Sequence, residues 1–328
     1  MQREQLLDEW LKCVLKTNHF KRVSLAGDAS ARRYFRVLTS PEGRQYVVMD
    51  APPPEIPQVF ADIAVTLDQH GLQVPKVIHA DFEHGFLLLS DLGDRLYLSE
   101  LNEASADQLY QNAFEALLKI QHCQKKLPLF DQAFLYRQLG IFEEWYLKKH
   151  KAFTHSDLQS TQAILNPIYE KLFEVCRNQP QVFVHRDYHS RNLMILPGNS
   201  PGILDFQDAM TGPITYDLVS LLQDCYIAWP RERIQNWVLD FYEKAKTAKL
   251  LTGQETYSEF LRWFDLTGLQ RHLKNLGIFA RLHYRDNKSG YLNDIPQVLK
   301  YVSETCHRYA ELQPLLNFFE TLRETAEV

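Results

Sequence analysis

Cysteine is scarce and unpaired in this sequence. Cys13, Cys123, Cys176, Cys225 and Cys306 are scattered over 328 residues, and none sits in a C-x-x-C pair. An odd, dispersed set argues against a disulfide framework or a zinc site and fits a reducing compartment. Each reads as a small buried hydrophobe. A basic excess is missing as well: 36 Lys and Arg stand against 41 Asp and Glu, a formal net charge of -5. Nucleic acid is therefore not an expected partner, since neutralising its phosphates takes a basic surface. No apolar run approaches the roughly 18 residues of a membrane span. The opening stretch MQREQLLDEWLKCVLK is charged throughout and has no signal-peptide core. Repeats and low-complexity segments are absent too. The expectation is a cytoplasmic monomer without membrane or nucleic-acid contacts.

What is present is an ordinary globular balance, 45% hydrophobic and 23% charged, in a chain long enough for two lobes. The spacing of Leu6, Leu7, Trp10, Leu11, Val14 and Leu15 predicts a helix over 3–17. Three strands follow at 22–26, 33–38 and 45–50, separated by Gly27-Asp28 and Pro41-Glu42-Gly43, and read as an antiparallel meander. The proline-rich segment 51–57 is a stiff connection into a helix over 58–69. Strands at 76–80 and 85–90 complete a small lobe. Long helices at 103–125, 131–150 and 156–178 come next. Short apolar pieces at 182–184, 193–195 and 202–205 precede a helical remainder. The fold class is α+β, with a β-rich lobe over 1–92 and a larger helical lobe over 93–328.

The chemistry is carried by Val182-Phe-Val-His-Arg-Asp-Tyr-His-Ser-Arg-Asn-Leu-Met-Ile-Leu196. It holds the kinase catalytic-loop spacing H-R-D-x-x-x-x-N between two apolar strands. Thirteen residues after Asn192 stands Asp205-Phe206, at the end of another apolar strand. Phosphoryl transfer needs a carboxylate that orients the acceptor hydroxyl and takes its proton, and Asp187 suits that role. Hard oxygen ligands must hold Mg2+ on the ATP phosphates, and Asn192 and Asp205 suit that role. A lone H-R-D would be weak evidence. The tripeptide, the spaced Asn, the downstream Asp-Phe and the flanking strands agree in order, which leaves coincidence a small share. His185 and Arg186 read as structural.

On these residues the chain resembles the aminoglycoside phosphotransferase and choline kinase superfamily. The resemblance implies a bilobal protein-kinase-like fold and phosphorylation of a small molecule. Asp205-Phe-Gln207 lacks the third-position Gly of protein kinases, and no A-P-E element follows. Pro213-Ile-Thr-Tyr-Asp217 is similar to a superfamily segment in which Asp217 is structural. The stretches 27–37, 48–53 and 270–286 resemble the bacterial anomeric amino-sugar kinases of cell-wall recycling. That likeness implies transfer from ATP to the C1 hydroxyl of N-acetylmuramic acid or N-acetylglucosamine. Another small-molecule kinase, for aminoglycosides or choline, is the alternative, as is a nucleotide-binding pseudokinase.

The loop over 27–33 occupies the place of a phosphate-covering turn, with one Gly only. Ser30, Arg32 and Arg33 are its candidate phosphate contacts, and an ordinary hairpin turn is the bland reading. The third strand should bring a lysine to the phosphates but has Met49 near that place, a departure that also marks pseudokinases. Arg32 or Arg33 is the expected substitute. The hinge is expected at 88–93, with Ser90 and Leu92 at the adenine edge. For the acceptor, Arg191, Asp224, Arg271 and His272 are candidates, and a cation among them would suit an acidic amino sugar. The bland reading of the charges on helix 269–285 is a solvated face, and that of Trp229, Trp237 and Trp263 is core.

Overall fold

The structure, a computed structural model, describes residues 3–25, 31–40, 43–198 and 200–324. Spatial proximity groups them into two compact units, 1–119 with 191–208 and 120–190 with 209–328. The first unit begins with α1 (Arg3–Leu15), which buries Leu7 and Leu11, one turn apart. β1 (Phe20–Ser24), β2 (Arg33–Thr39), β3 (Gln45–Asp50), β4 (Val77–Asp81) and β5 (Phe86–Ser90) form one antiparallel sheet in the order β1-β2-β3-β5-β4. The meander over β1–β3 is as expected, and β4 takes the edge beyond β5. β1 starts two residues early because Phe20 pairs with Thr39 in the hairpin register. α2 (Pro57–Gln69) opens with proline at its first position, where no backbone donor is needed.

α1 is fastened to this sheet by a buried carboxylate. Asp50 is fully buried and accepts from Arg3 Nε at 2.7 Å and from Arg33 Nε at 3.0 Å. Two guanidinium groups on one carboxylate satisfy the charge that burial would otherwise make costly. Beyond the sheet come α3 (Tyr97–Glu100) and α4 (Ala106–Gln121). The returning stretch adds a ribbon, β7 (Leu193–Met194) against β8 (Gly202–Ile203), which joins the same unit through Ile195 N to Arg95 O and Ile203 N to Gln73 O.

The second unit is helical. α5 (Gln132–Ile141) continues as a π-helical segment, Phe142–His150, where one uninterrupted helix was expected. The widening begins where Gly277 lets a later helix approach closely: a Cβ there would stand 2.4 Å from Ile141 O. α6 (His155–Arg177) starts in a Thr154–Asp157 capping box. β6 (Gln181–Val184) pairs with β9 (Met210–Pro213), a short strand the sequence pattern did not reveal. α7 (Tyr216–Leu222), α8 (Arg231–Thr247), α9 (Tyr257–Tyr284), α10 (Ile295–Arg308) and α11 (Gln313–Glu324) follow.

α9 is the axis of this unit. Leu269, Leu273, Leu276 and Ala280 are fully buried along it, as their spacing predicts. Polar residues on its other faces, including Asp265, Gln270, Arg271 and Lys274, are buried as well, and exposure returns at its C-terminal end, where Arg281 is half-buried and Arg285 exposed. Asp265 is answered by Arg231 at 2.8 Å and by Tyr309 at 3.0 Å. Cys123, Cys176, Cys225 and Cys306 are buried, and burial pushes each thiol up to about 12; Cys13 is exposed. No helix among the described residues is long and apolar enough to cross a membrane.

Candidate active site

The catalytic loop leaves β6 and is pinned at both ends by carboxylates from the α7 region. Asp217, at the start of α7 and fully buried, accepts from His185 N at 2.6 Å and Arg186 N at 2.9 Å. Those two bonds hold Arg186 at φ +81°, a left-handed conformation that a non-glycine residue adopts only under such constraint. Asp224 receives Ser190 Oγ at 2.5 Å, Ser190 N at 3.0 Å and Tyr226 N at 3.1 Å. Its oxygens anchor the loop. Between the anchors, Asp187 N donates to His185 Nδ1 at 3.3 Å, and the His185 ring packs edge-on against Tyr188. This is the structural part the sequence suggested for His185.

Electrostatics separate the two buried acids. Burial pushes the Asp187 carboxyl up, but Lys274, then Arg271, His189 and Arg186, together hold it well below the usual carboxylate range. At Asp217 burial prevails over the His185 and Arg186 amides and Arg271, and its pKa rises to about 7. A permanently ionised Asp187 beside a carboxyl that titrates near neutrality is how one environment assigns two roles to two like groups.

The metal candidates lie in the first unit. Asn192 and Asp205 bracket the β7–β8 ribbon, and Leu204 N donates to Asn192 O at 2.9 Å. Asp205 sits at φ +62°, and Gln207 Nε2 donates to its Oδ1 at 2.8 Å. Gln207 Oε1, at the other end of that amide, is buried with no hydrogen-bond partner among the described residues. Phe206 is fully buried and packs on Phe60 of α2 with ring centroids 4.7 Å apart, which fixes the Asp-Phe pair. No group of three or more His, Cys, Asp or Glu among the described residues would hold a metal by itself. One carboxylate and one amide are hard oxygen donors of the kind that fit Mg2+ completed by substrate phosphates and water.

A cavity of about 380 Å³ in the same unit is lined by Arg32, Met49, Glu55, Phe60, Gln207 and Asp208, among others. Arg32 is buried and lies 3.5 Å from Glu55, just ahead of α2. Arg33, the first residue of β2, is committed to Asp50. Ser30 lies outside the described residues. At the hinge, Ser90 N donates to Lys76 O and Ser90 Oγ accepts from Lys76 N. Leu92 makes no backbone hydrogen bond among the described residues. Arg36, bound to Asp91 at 2.5 Å and to Gly93 O at 3.0 Å, braces the turn around it.

Of the acceptor candidates, Arg191 is exposed. Arg271 is buried, donates to Ser220 Oγ and lies over the Tyr216 ring at 5.9 Å. His272 is fully buried, stacks on Tyr301 at 4.8 Å and is neutral, since burial and Arg271 push it down to about 3. Lys274, among the charges of the helix over 269–285, is the strongest of the charges acting on Asp187. Trp229 and Trp237 are core residues, as expected. Arg233 covers both rings at 4.9 and 4.8 Å, so the chain fills its own aromatic pair.

The sequence model of the phosphotransferase enzyme family matches residues 21–253. The chain is 41% identical over 318 residues to an N-acetylmuramate/N-acetylglucosamine kinase of Pseudomonas putida, covering 94% of this chain and 92% of that one. It is 40% identical to a protein of the same name from Neisseria meningitidis serogroup B, covering 96% and 94%. Among solved structures it is similar to the choline kinase LicA of Streptococcus pneumoniae, with a TM-score of 0.66 at 13% identity over 93% of this chain and 100% of that one. A gentamicin–APH(2")-IIa complex gives a TM-score of 0.62 at 16% identity over 90% and 95%, and both likenesses concern the fold. Catalytic-loop spacing, a small antiparallel sheet, a helical unit around α9 and these matches agree, and the chain belongs to the phosphotransferase enzyme family.

Proposed function

We propose that this phosphotransferase moves the γ-phosphoryl group of ATP to the anomeric (C1) hydroxyl of N-acetylmuramic acid or N-acetylglucosamine. The observation that carries the reading is the 41% identity, along 94% of the chain, to a kinase of those two sugars. The catalytic-loop residues support it. Asp187 accepts the proton as the C1 oxygen bonds to the γ-phosphorus, the bond from that phosphorus to the β-bridging oxygen breaks, and ADP leaves. The low proton affinity of Asp187 suits a hemiacetal hydroxyl, which is more acidic than an ordinary alcohol. Mg2+ held by Asn192 and Asp205 would neutralise phosphate charge.

The missing strand-3 lysine is replaced by Arg32 in this reading. Arg32 lines the cavity it shares with Gln207 and Asp208, and Glu55 holds it as a lysine–glutamate pair would be held. Leu92 offers its backbone to the adenine edge. Residues 1–92 act as the nucleotide-binding lobe and 93–328 as the lobe of catalytic loop and acceptor, in a cytoplasmic monomer. Phosphorus NMR tests the function. Purified protein with Mg-ATP is given N-acetylmuramic acid, N-acetylglucosamine, choline or an aminoglycoside, with Asp187→Asn as control. A sugar 1-phosphate resonance that the control lacks is expected. Product from choline or the aminoglycoside alone refutes the acceptor, and turnover by Asp187→Asn refutes the catalytic assignment.

A further inference from the structure

Lys274 stands in the middle of α9 and is only 3% exposed. Among the described residues its ammonium makes no hydrogen bond and no ion pair. A charged group that deep is costly unless something answers it. Asp187 is the acid it acts on, and the other charged groups nearby are engaged elsewhere. Arg271, one helical turn earlier on the same face, is spent on Ser220 Oγ and the Tyr216 ring. Asp217 is bound to the His185 and Arg186 amides, and Asp224 to Ser190 and Tyr226.

The polar neighbourhood is unfinished in the same place. Tyr216 Oη, Arg271 Nε and both ends of the Gln270 amide are buried without partners among the described residues. A protein leaves such a set where a polar ligand or ordered water completes it. Lys274 is also the foremost charge acting on Asp187. An acceptor whose hydroxyl meets Asp187 therefore brings its neighbouring substituents toward Lys274.

Resting on the amino-sugar reading above, we propose that Lys274 is the specificity-determining residue that receives a carboxylate carried by the acceptor, so that an acidic amino sugar is favoured over its neutral counterpart. N-acetylmuramic acid carries that carboxylate on a lactyl ether two ring carbons from the anomeric centre. N-acetylglucosamine has a hydroxyl there. The discrimination comes from one charge-assisted hydrogen bond that only the acidic sugar can form.

The test is a ratio. For Lys274→Met, kcat/KM is measured on both sugars, and the N-acetylmuramic acid to N-acetylglucosamine ratio is expected to fall by about 10- to 100-fold, the worth of a hydrogen bond to a charged group. Lys274→Arg is expected to recover part of it. An unchanged ratio overturns the proposal, because a lysine that serves only Asp187 or the fold affects both sugars alike. A second measurement needs no variant: the methyl ester of N-acetylmuramic acid, which keeps the shape and drops the charge, should lose a similar factor on the wild-type protein. An ester turned over as well as the free acid also overturns the proposal. Wild-type protein inactive on both sugars would instead defeat the underlying amino-sugar reading.

Discussion

Replacing Asp217 with Asn tests whether the catalytic loop is held as described. The substitution keeps shape and removes one acceptor. In the wild-type protein the two carboxylate oxygens accept separately from His185 N and Arg186 N. The amide answers one of these, and its NH2 faces the other. An orphaned buried donor costs about 1–3 kcal/mol. The left-handed Arg186 backbone that the bonds sustain costs a similar amount, about 1–3 kcal/mol. The loop can therefore relax once one bond is lost, and Asp187 moves with it. A misplacement on the order of 1 Å costs roughly 100-fold in turnover. Thermal unfolding should shift only by about 2–10 °C at this chain length. The assay is ATP consumption at saturating sugar, run beside a melting curve. A kcat within twofold of wild type for Asp217→Asn, with an unchanged melting temperature, would refute the anchoring role.

Arg32, just ahead of β2, and Arg33, its first residue, should separate by phenotype. Arg32→Met is expected to raise KM for ATP and lower kcat by about 10-fold or more, whereas Arg33→Met, by loosening Asp50, should lower stability and leave KM for ATP in place; urea melts and initial rates read both. His272 gives a pH dependence. Its folded pKa of about 3 lies below the unfolded value near 6.5, so the unfolded chain binds the proton first. Stability therefore falls with decreasing pH through that window, by roughly 1.4 kcal/mol per unit from this group at its steepest. His272→Gln should flatten the slope in chemical denaturation between pH 4 and 6, and an unchanged slope would count against it. Gly277→Ala should be poorly folded, because its Cβ would meet the backbone oxygen of Ile141 at 2.4 Å, and a backbone atom cannot swing aside. A soluble variant with wild-type melting would contradict that packing.

Much of this was legible in the sequence because it was local. β3 was bounded correctly by the turn residues before it and the prolines after it, and the catalytic loop announced itself because its ligands are spaced along one short segment. β9 escaped notice because Met-Thr-Gly-Pro carries no alternation and owes its strand geometry to β6. The choice between Arg32 and Arg33 was open for a definite reason. Neighbouring arginines look alike in a sequence, and only their distant partners, Glu55 for Arg32 and Asp50 for Arg33, tell them apart. Asp224 and His272 have residue types that fit a substrate site. Their loop-anchoring and stacking roles come from tertiary neighbours far along the chain. Lys274 was hidden by the reverse effect, since a lysine on a helix is ordinarily read as solvent-facing, and the middle of α9, from Phe264 to Gly277, is buried on every side.

The burial of four cysteines has a practical corollary. Thiolate is the species that alkylating reagents capture, and thiols pushed up to about 12 in packed surroundings supply almost none of it. The native protein should therefore take a maleimide fluorophore at Cys13 alone, without any cysteine being engineered out. The dye would ride on α1, whose Arg3 grips Asp50 at the end of β3 and the carbonyl of His84. Nucleotide entering the neighbourhood of that strand could then be followed by fluorescence on the unaltered sequence.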